Sequence, residues 1–260
     1  MATQRIFNCI SSRDKQDDWK IVKAQSMGYL PKVLVLPKKV DLRRKWWKVG
    51  NQGTTGSCVG WATASSLLRF HFTKARKIKT SEKISVRFTW MSAKEMDEYI
   101  DYPTTFIEDA GTSIKTAIKT AHKIGALKAS LFPFRGKMVT IKEANFLKIA
   151  GRLKIKAYFN LVNPKQDKLT MFKAWLAYNG PILTSLECDD IFMEPQKDGL
   201  LEKYDKKSAE GGHAISIVGY TPTHFIIRNS WGTGWGDKGF AYASYAYTKA
   251  AFKEAYGIVV

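Results

Sequence analysis

Apolar positions fall at helical spacing through the first two thirds of the chain and at strand spacing through the last third. After the NQGTTG stretch (residues 51–56), the segment from Ser57 to about Arg76 holds no proline. There, Val59, Ala62, Leu67 and Phe70 suit one helix with Ser57 as its cap and Gly60 as its weak point. Residues 112–124 place Ile114, Ala117, Ile118, Ala121 and Ile124 on one stripe, an amphipathic helix that Gly125 stops. Residues 168–179 predict another, ended by Asn179-Gly180-Pro181. Beyond Pro181 the segments ILTSL, HAISIVGY, FIIRN and FAYASYAY read as strands, parted by turn residues such as Thr221-Pro222. Helices first and strands second predict an α+β protein, with a helical lobe, a sheet lobe and a cleft between them. Residues 1–37 form a polar, charged lead-in that ends in the Pro31–Pro37 stretch, whose VLVL core suggests a short strand or an extended arm. No internal repeat or low-complexity block interrupts this pattern.

Size and charge narrow the class. The 260 residues are 45% hydrophobic, with eight Trp and fourteen Phe, enough for a packed core in one domain or two intimate lobes. Lys and Arg number 42 against 23 acidic residues, a formal charge of +19 that favours an acidic partner or an anionic surface. Part of the excess is local: residues 137–173 hold nine basic and two acidic residues, read here as a solvated basic face. No nucleic-acid-binding motif accompanies it. Three cysteines, Cys9, Cys58 and Cys188, cannot build a disulfide framework and leave at least one free thiol. The first residues contain no apolar signal core, and no apolar run approaches the length of a membrane span. The expectation is a cytoplasmic protein, or one exported without a cleaved signal peptide.

Candidate chemistry centres on Cys58. A thiolate is stabilised in the first turn of a helix, where unpaired backbone N–H groups and the helix dipole favour negative charge. Any single cysteine is more often a small buried side chain, so a partner is needed. His71 lies thirteen residues along the same predicted helix, too far along its axis to reach the thiol. His122 falls on the amphipathic helix and His224 in a polar turn. His213 follows Gly211-Gly212, which leave backbone room beside it, and opens a strand. That strand turns near residues 221–224 and returns through FIIRN, which brings Asn229 to the same end of the hairpin as His213. An amide there can fix the imidazole tautomer by hydrogen bonding, and Trp231 can shield that bond from water. The glycine-rich GTGWGDKG precedes an aromatic strand rather than a helix, so a phosphate loop is excluded.

NQGTTGSCVGWA resembles the cysteine block of papain-like peptidases, GGHAISIVGY their histidine block and FIIRNSWGTGWGDKGF their asparagine block. VDLR is similar to the start of their mature chain, and AGTSIKTAI to their substrate strand and following helix, so the resemblance covers roughly residues 38–245. It implies a papain-like fold, with a helical N-terminal lobe over about 38–155 and an antiparallel, barrel-like C-terminal lobe over about 156–260. It implies Cys58 as nucleophile, His213 as acid and base, Asn229 as orienter, and Gln52 with the Cys58 N–H as oxyanion donors. Gly111, Thr112, Ser185, Gly212, Ala214 and Trp231 would line the substrate site, whose small walls suit a medium apolar or aromatic side chain. No metal or cofactor is implied. Two departures stand out: Thr55 occupies the position of a disulfide cysteine, and Val59 that of the usual tryptophan. The 37-residue lead-in is short for the family's inhibitory prosegment, and is expected to be a permanent arm or a short plug over the cleft. The expected activity is peptide-bond hydrolysis; transpeptidation, a narrow-specificity effector protease and non-catalytic peptide binding are the alternatives.

Overall fold

In a computed structural model of the chain, residues 5–97, 111–137 and 143–260 are described. Helices occupy Ile21–Ser26, Val86–Met96, Ile114–Lys123, Glu143–Gly151, Lys168–Tyr178, Asp190–Met193 and Tyr245–Ala251. A further helical run starts as Cys58–Gly60, passes through wider π-turns over Trp61–Leu68 and resumes as Arg69–Lys74. Its bounds match the sequence reading, but the π-turned stretch was not foreseen. Ser57 stands at its N-terminus without capping it through its side chain, because its hydroxyl is engaged with Thr55 Oγ1 at 2.6 Å. The next predicted helix is capped by Ser113, whose Oγ accepts the Thr116 N–H at 3.1 Å. It ends at Gly125, at φ +109, where a Cβ would collide with the Ala150 carbonyl. Asp167 caps the Lys168–Tyr178 helix in the same way, at 2.9 Å.

Eight strands follow in one sheet: β1 Val40–Asp41, β2 Ala157–Asn160, β3 Ile182–Glu187, β4 Leu200–Leu201, β5 Gly212–Tyr220, β6 His224–Arg228, β7 Phe240–Ser244 and β8 Glu254–Val259. Their order is β2-β8-β3-β5-β6-β7-β4, with β1 added on β5. Every pairing is antiparallel except β4 with β7. Of the two readings of VLVL, no strand forms and the segment lies as an arm on the body, where the Tyr178 hydroxyl bonds the Val35 N–H and carbonyl at 3.2 and 2.9 Å. One expectation needs correction. FAYASYAY is a strand only to Ser244; the Ser244 hydroxyl then accepts the Tyr247 N–H at 3.0 Å and starts a helix.

Two main apolar cores result. One packs Trp175, Phe172, Phe159, Phe225 and Tyr247 between the sheet and its helices, and includes Ile21, Ala24 and Leu30 of the lead-in. The other holds Cys58, Val59, Leu67, Phe72, Ile114 and Ile118 with Leu183, Ala214 and Tyr256 from the sheet. Apolar burial on this scale is the main favourable term for the fold. The second core carries the Cys58 helix against β5, the strand that contains His213.

Candidate active site

Three backbone segments meet at the site. The loop before Cys58 is knitted to the segment after β6: Gln52 N donates to the Ser230 carbonyl at 2.8 Å, Gly232 N to the Gly50 carbonyl at 2.9 Å, and Asn51 bridges Trp231. Within this loop Thr55 Oγ1 donates to the Gln52 carbonyl at 2.8 Å. Where a disulfide was expected to be missing, hydroxyl groups hold the turn instead.

Gln52 is 1% exposed and bonded at both ends of its carboxamide. Its Oε1 accepts from Ser230 Oγ at 2.8 Å, and its Nε2 donates to the Thr55 carbonyl at 2.8 Å. The carboxamide carries two N–H bonds, so one remains beyond that to Thr55. Ser230 was not singled out in the sequence, although it adjoins Asn229.

His213 opens β5 and Asn229 follows β6, and their pairing brings Ser216 opposite Arg228. His213 Nε2 lies 2.8 Å from Asn229 Oδ1. The same oxygen accepts the Ser230 N–H at 2.7 Å, which fixes which end of the amide is oxygen. The imidazole therefore carries its proton on Nε2, and Nδ1 has no hydrogen-bond partner. Trp231 lies over the pair, its ring 4.6 Å from that of His213, and Phe192 packs edge-on against both rings. His213, Asn229 and Trp231 are all buried.

Cys58 and His213 are both fully buried. Burial pushes the Cys58 thiol up, while the backbone N–H groups of Ala214, Val59 and Asn8 oppose it. Burial also lowers His213 to about 4; the Asn229 bond opposes this and the Arg5 charge adds to it. Neutral thiol and neutral imidazole are the forms favoured in this closed state.

The cover is the lead-in itself. Asn8 O accepts the Thr112 N–H at 3.0 Å, Ile10 N donates to the Thr112 carbonyl at 3.2 Å, and Cys9 N donates to the Gly212 carbonyl at 3.1 Å. Cys9 pairs with Thr112 in the parallel sense. A Cβ on Gly111 would press on Ile10 and Asn8, and one on Gly212 would collide with the Cys9 carbonyl, so the arm lies tight against both. Ser185 faces Ala214 across β3 and β5. Arg5 sits 4.5 Å above the Trp231 ring. Of the expected lining residues, the arm thus meets Gly111, Thr112 and Gly212 and reaches Trp231 through Arg5, and segment 5–12 had no signal in the hydrophobic pattern.

The other candidates lie elsewhere. His71 is buried with Nε2 unpartnered, His122 bonds the Lys156 carbonyl, and His224 bonds Thr223 and Glu202. Cys9, Cys58 and Cys188 are free and buried. Among the described residues no three His, Cys, Asp or Glu side chains cluster so as to hold a metal ion, and no helix is long and apolar enough to cross a membrane.

Comparison with known proteins agrees with this construction. Xylellain, a cysteine protease from Xylella fastidiosa, shares the fold with a TM-score of 0.76 at 24% identity, over 98% of this chain and 96% of that one. An uncharacterized peptidase C1-like protein of Acanthamoeba polyphaga mimivirus is 27% identical over 94% of this chain and 82% of its own length. Cathepsin F of Drosophila melanogaster is 25% identical over 79% of this chain, which spans only 32% of that protein. The family model described as papain family cysteine protease matches residues 36–257. With the cysteine, histidine and asparagine blocks gathered at one site and that match spanning most of the sequence, the chain belongs to the papain family of cysteine proteases.

Proposed function

We propose that the chain is a cysteine endopeptidase acting through Cys58, His213 and Asn229, held latent by residues 5–12. The observation that carries this reading is the 2.8 Å His213–Asn229 bond, which leaves Nδ1 without a partner, while the N–H of the next residue, Ala214, bonds the Cys58 thiol. When the arm leaves, water enters and the Arg5 charge departs. The cost that burial imposes on both charged forms then falls, and the proton can pass from Cys58 to Nδ1 to give a thiolate–imidazolium pair. Thiolate attack on a peptide carbonyl forms a tetrahedral oxyanion, held by the second Gln52 N–H and the Cys58 backbone N–H. Imidazolium then protonates the leaving amine, and water admitted to the same site hydrolyses the thioester with His213 as base. Asn229 holds the ring throughout.

The arm's backbone bonds to Thr112 and Gly212 are those an extended peptide would make, which supports reading Gly111, Thr112, Ser185, Gly212, Ala214 and Trp231 as the substrate site. The Cys9 side chain shares the apolar cluster of Cys58 and Ala214. A substrate with a medium apolar side chain two residues before the scissile bond fits that setting.

The test is a cleavage-product survey of a peptide library by mass spectrometry, with wild type and Cys58→Ala in parallel. Hydrolysis products from the wild type alone are expected. Equal product formation by Cys58→Ala would overturn the assignment, and ligated rather than hydrolysed products would make the enzyme a transpeptidase.

A further inference from the structure

Seven of the eleven large apolar side chains exposed among the described residues lie between Ile6 and Val35. Five of them, Trp19, Val22, Met27, Val33 and Val35, fall within the stretch that crosses the sheet lobe; Val33 and Val35 are 77% and 75% exposed. This segment is not loose. Ile21, Ala24 and Leu30 are buried in the larger core, Asn179 Nδ2 donates to the Tyr29 carbonyl at 3.0 Å, and Tyr178 holds Val35 on both sides. Trp19 and Tyr29 both pack against Phe159, at 6.0 and 5.9 Å. These contacts tie Trp19 to Val35 as one ordered strip whose inner side is satisfied and whose outer side is apolar. Ordered aliphatic side chains this open to water are a feature of surfaces that meet another phase or partner.

The charges on the strip point to which. Residues 19–39 contain five lysines and no acidic residue. Lys23, Lys32, Lys38 and Lys39 are exposed, while Lys20 is turned to the Lys15 carbonyl at 2.7 Å. The acidic residue just before the strip, Asp18, is turned inward to Lys115 and Tyr256. Two copies docked through this face would bring their lysines together. An interfacial tryptophan, exposed aliphatic side chains and lysines whose stems can lie along hydrocarbon suit a bilayer carrying negative headgroups. We propose that residues 19–39 dock this protein onto an anionic membrane surface, with Val33 and Val35 entering the headgroup layer. The family match begins at residue 36, so this strip lies almost wholly outside it. The inference does not depend on peptidase activity.

The experiment uses the full chain with Cys58→Ala, so that self-cleavage cannot intrude, in co-sedimentation with phosphatidylcholine vesicles with and without 30 mol% phosphatidylserine. Binding is expected only with phosphatidylserine. It should weaken at least tenfold in Val33→Ser/Val35→Ser and in Lys32→Glu/Lys38→Glu, and stay unchanged in Lys206→Glu/Lys207→Glu on a different segment. Unaltered melting temperatures for the exposed substitutions establish that folding is intact. Three results overturn the proposal: no binding to either vesicle; binding that the serine pair leaves intact, which assigns it to diffuse charge; or concentration-dependent self-association abolished by the serine pair, which assigns the strip to a second copy.

Discussion

Lys115→Met should open the cleft without touching it. Lys115 projects from the first turn of the Ile114–Lys123 helix and donates to Asp18 Oδ1 at 2.8 Å, the Asp14 carbonyl at 2.7 Å and the Arg13 carbonyl at 3.2 Å. Its side chain is 14% exposed and that of Asp18 only 3%, so these bonds are poorly screened. Methionine keeps the stem and removes the ammonium, while Asp18 keeps the Tyr256 hydroxyl at 2.7 Å. When the arm lifts, both partners regain water, so the net loss is close to that of one charged hydrogen bond, about 2 kcal/mol. At 1.36 kcal/mol per decade this raises the open population roughly 30-fold. Iodoacetamide labelling of Cys58, followed by peptide mass spectrometry at low reagent, reads that population directly. Cys188, buried in the sheet core, serves as the reference thiol. An unchanged Cys58 rate would refute the latch, and an equal rise at both thiols would show general unfolding instead.

Gln52→Ala should lower kcat about 10²–10³-fold with KM little changed, as expected for a donor engaged only by the oxyanion; a raised KM at constant kcat would make it a ground-state contact. His213 and His71 titrate at about 4 and about 3 in the folded chain against an ordinary 6.5, each lowered first by burial, with Lys74 adding to the effect at His71. Between those values the unfolded chain binds more protons, so stability is complete above about pH 6.5 and falls as pH drops through the window. His71→Gln should flatten the Tm–pH curve between 6.5 and about 3, and an unaltered slope would contradict this. Reductant should leave Tm unchanged, since all three thiols are free; a disulfide found by non-reducing peptide mapping would count against the structure.

The sequence carried the site more fully than the fold around it. Cys58, His213 and Asn229 could be singled out because each stands on a local device, a helix start or one end of a hairpin, within a block that resembles the family's, and the His213–Asn229 bond follows from that hairpin. The arm was not legible. Residues 5–12 have no periodicity, and their place depends on Thr112 and Gly212, about a hundred and two hundred positions away. The helix after Ser244 was hidden for a different reason, since SYAY has strand-forming side chains and only the cap at Ser244 turns it. Ser230, though next to Asn229, gains its role only by meeting Gln52 across the molecule.

Arg228 holds the frame of the site together without a charged partner. Its buried guanidinium lies 4.6 Å over Trp47 and donates to the Trp47 carbonyl at 2.8 Å, the Lys48 carbonyl at 2.6 Å and Ser66 Oγ at 3.1 Å. It thereby braces the strand before Asn229 against the loop before Gln52 and the Cys58 helix. Every acceptor in that brace is a neutral oxygen. The strap across the cleft is anchored the opposite way, through the carboxylates of Asp18 and Glu254 to Lys115 and Lys15. A single substitution that removes a charge can therefore release the strap, whereas the brace beneath it holds no ion pair to break.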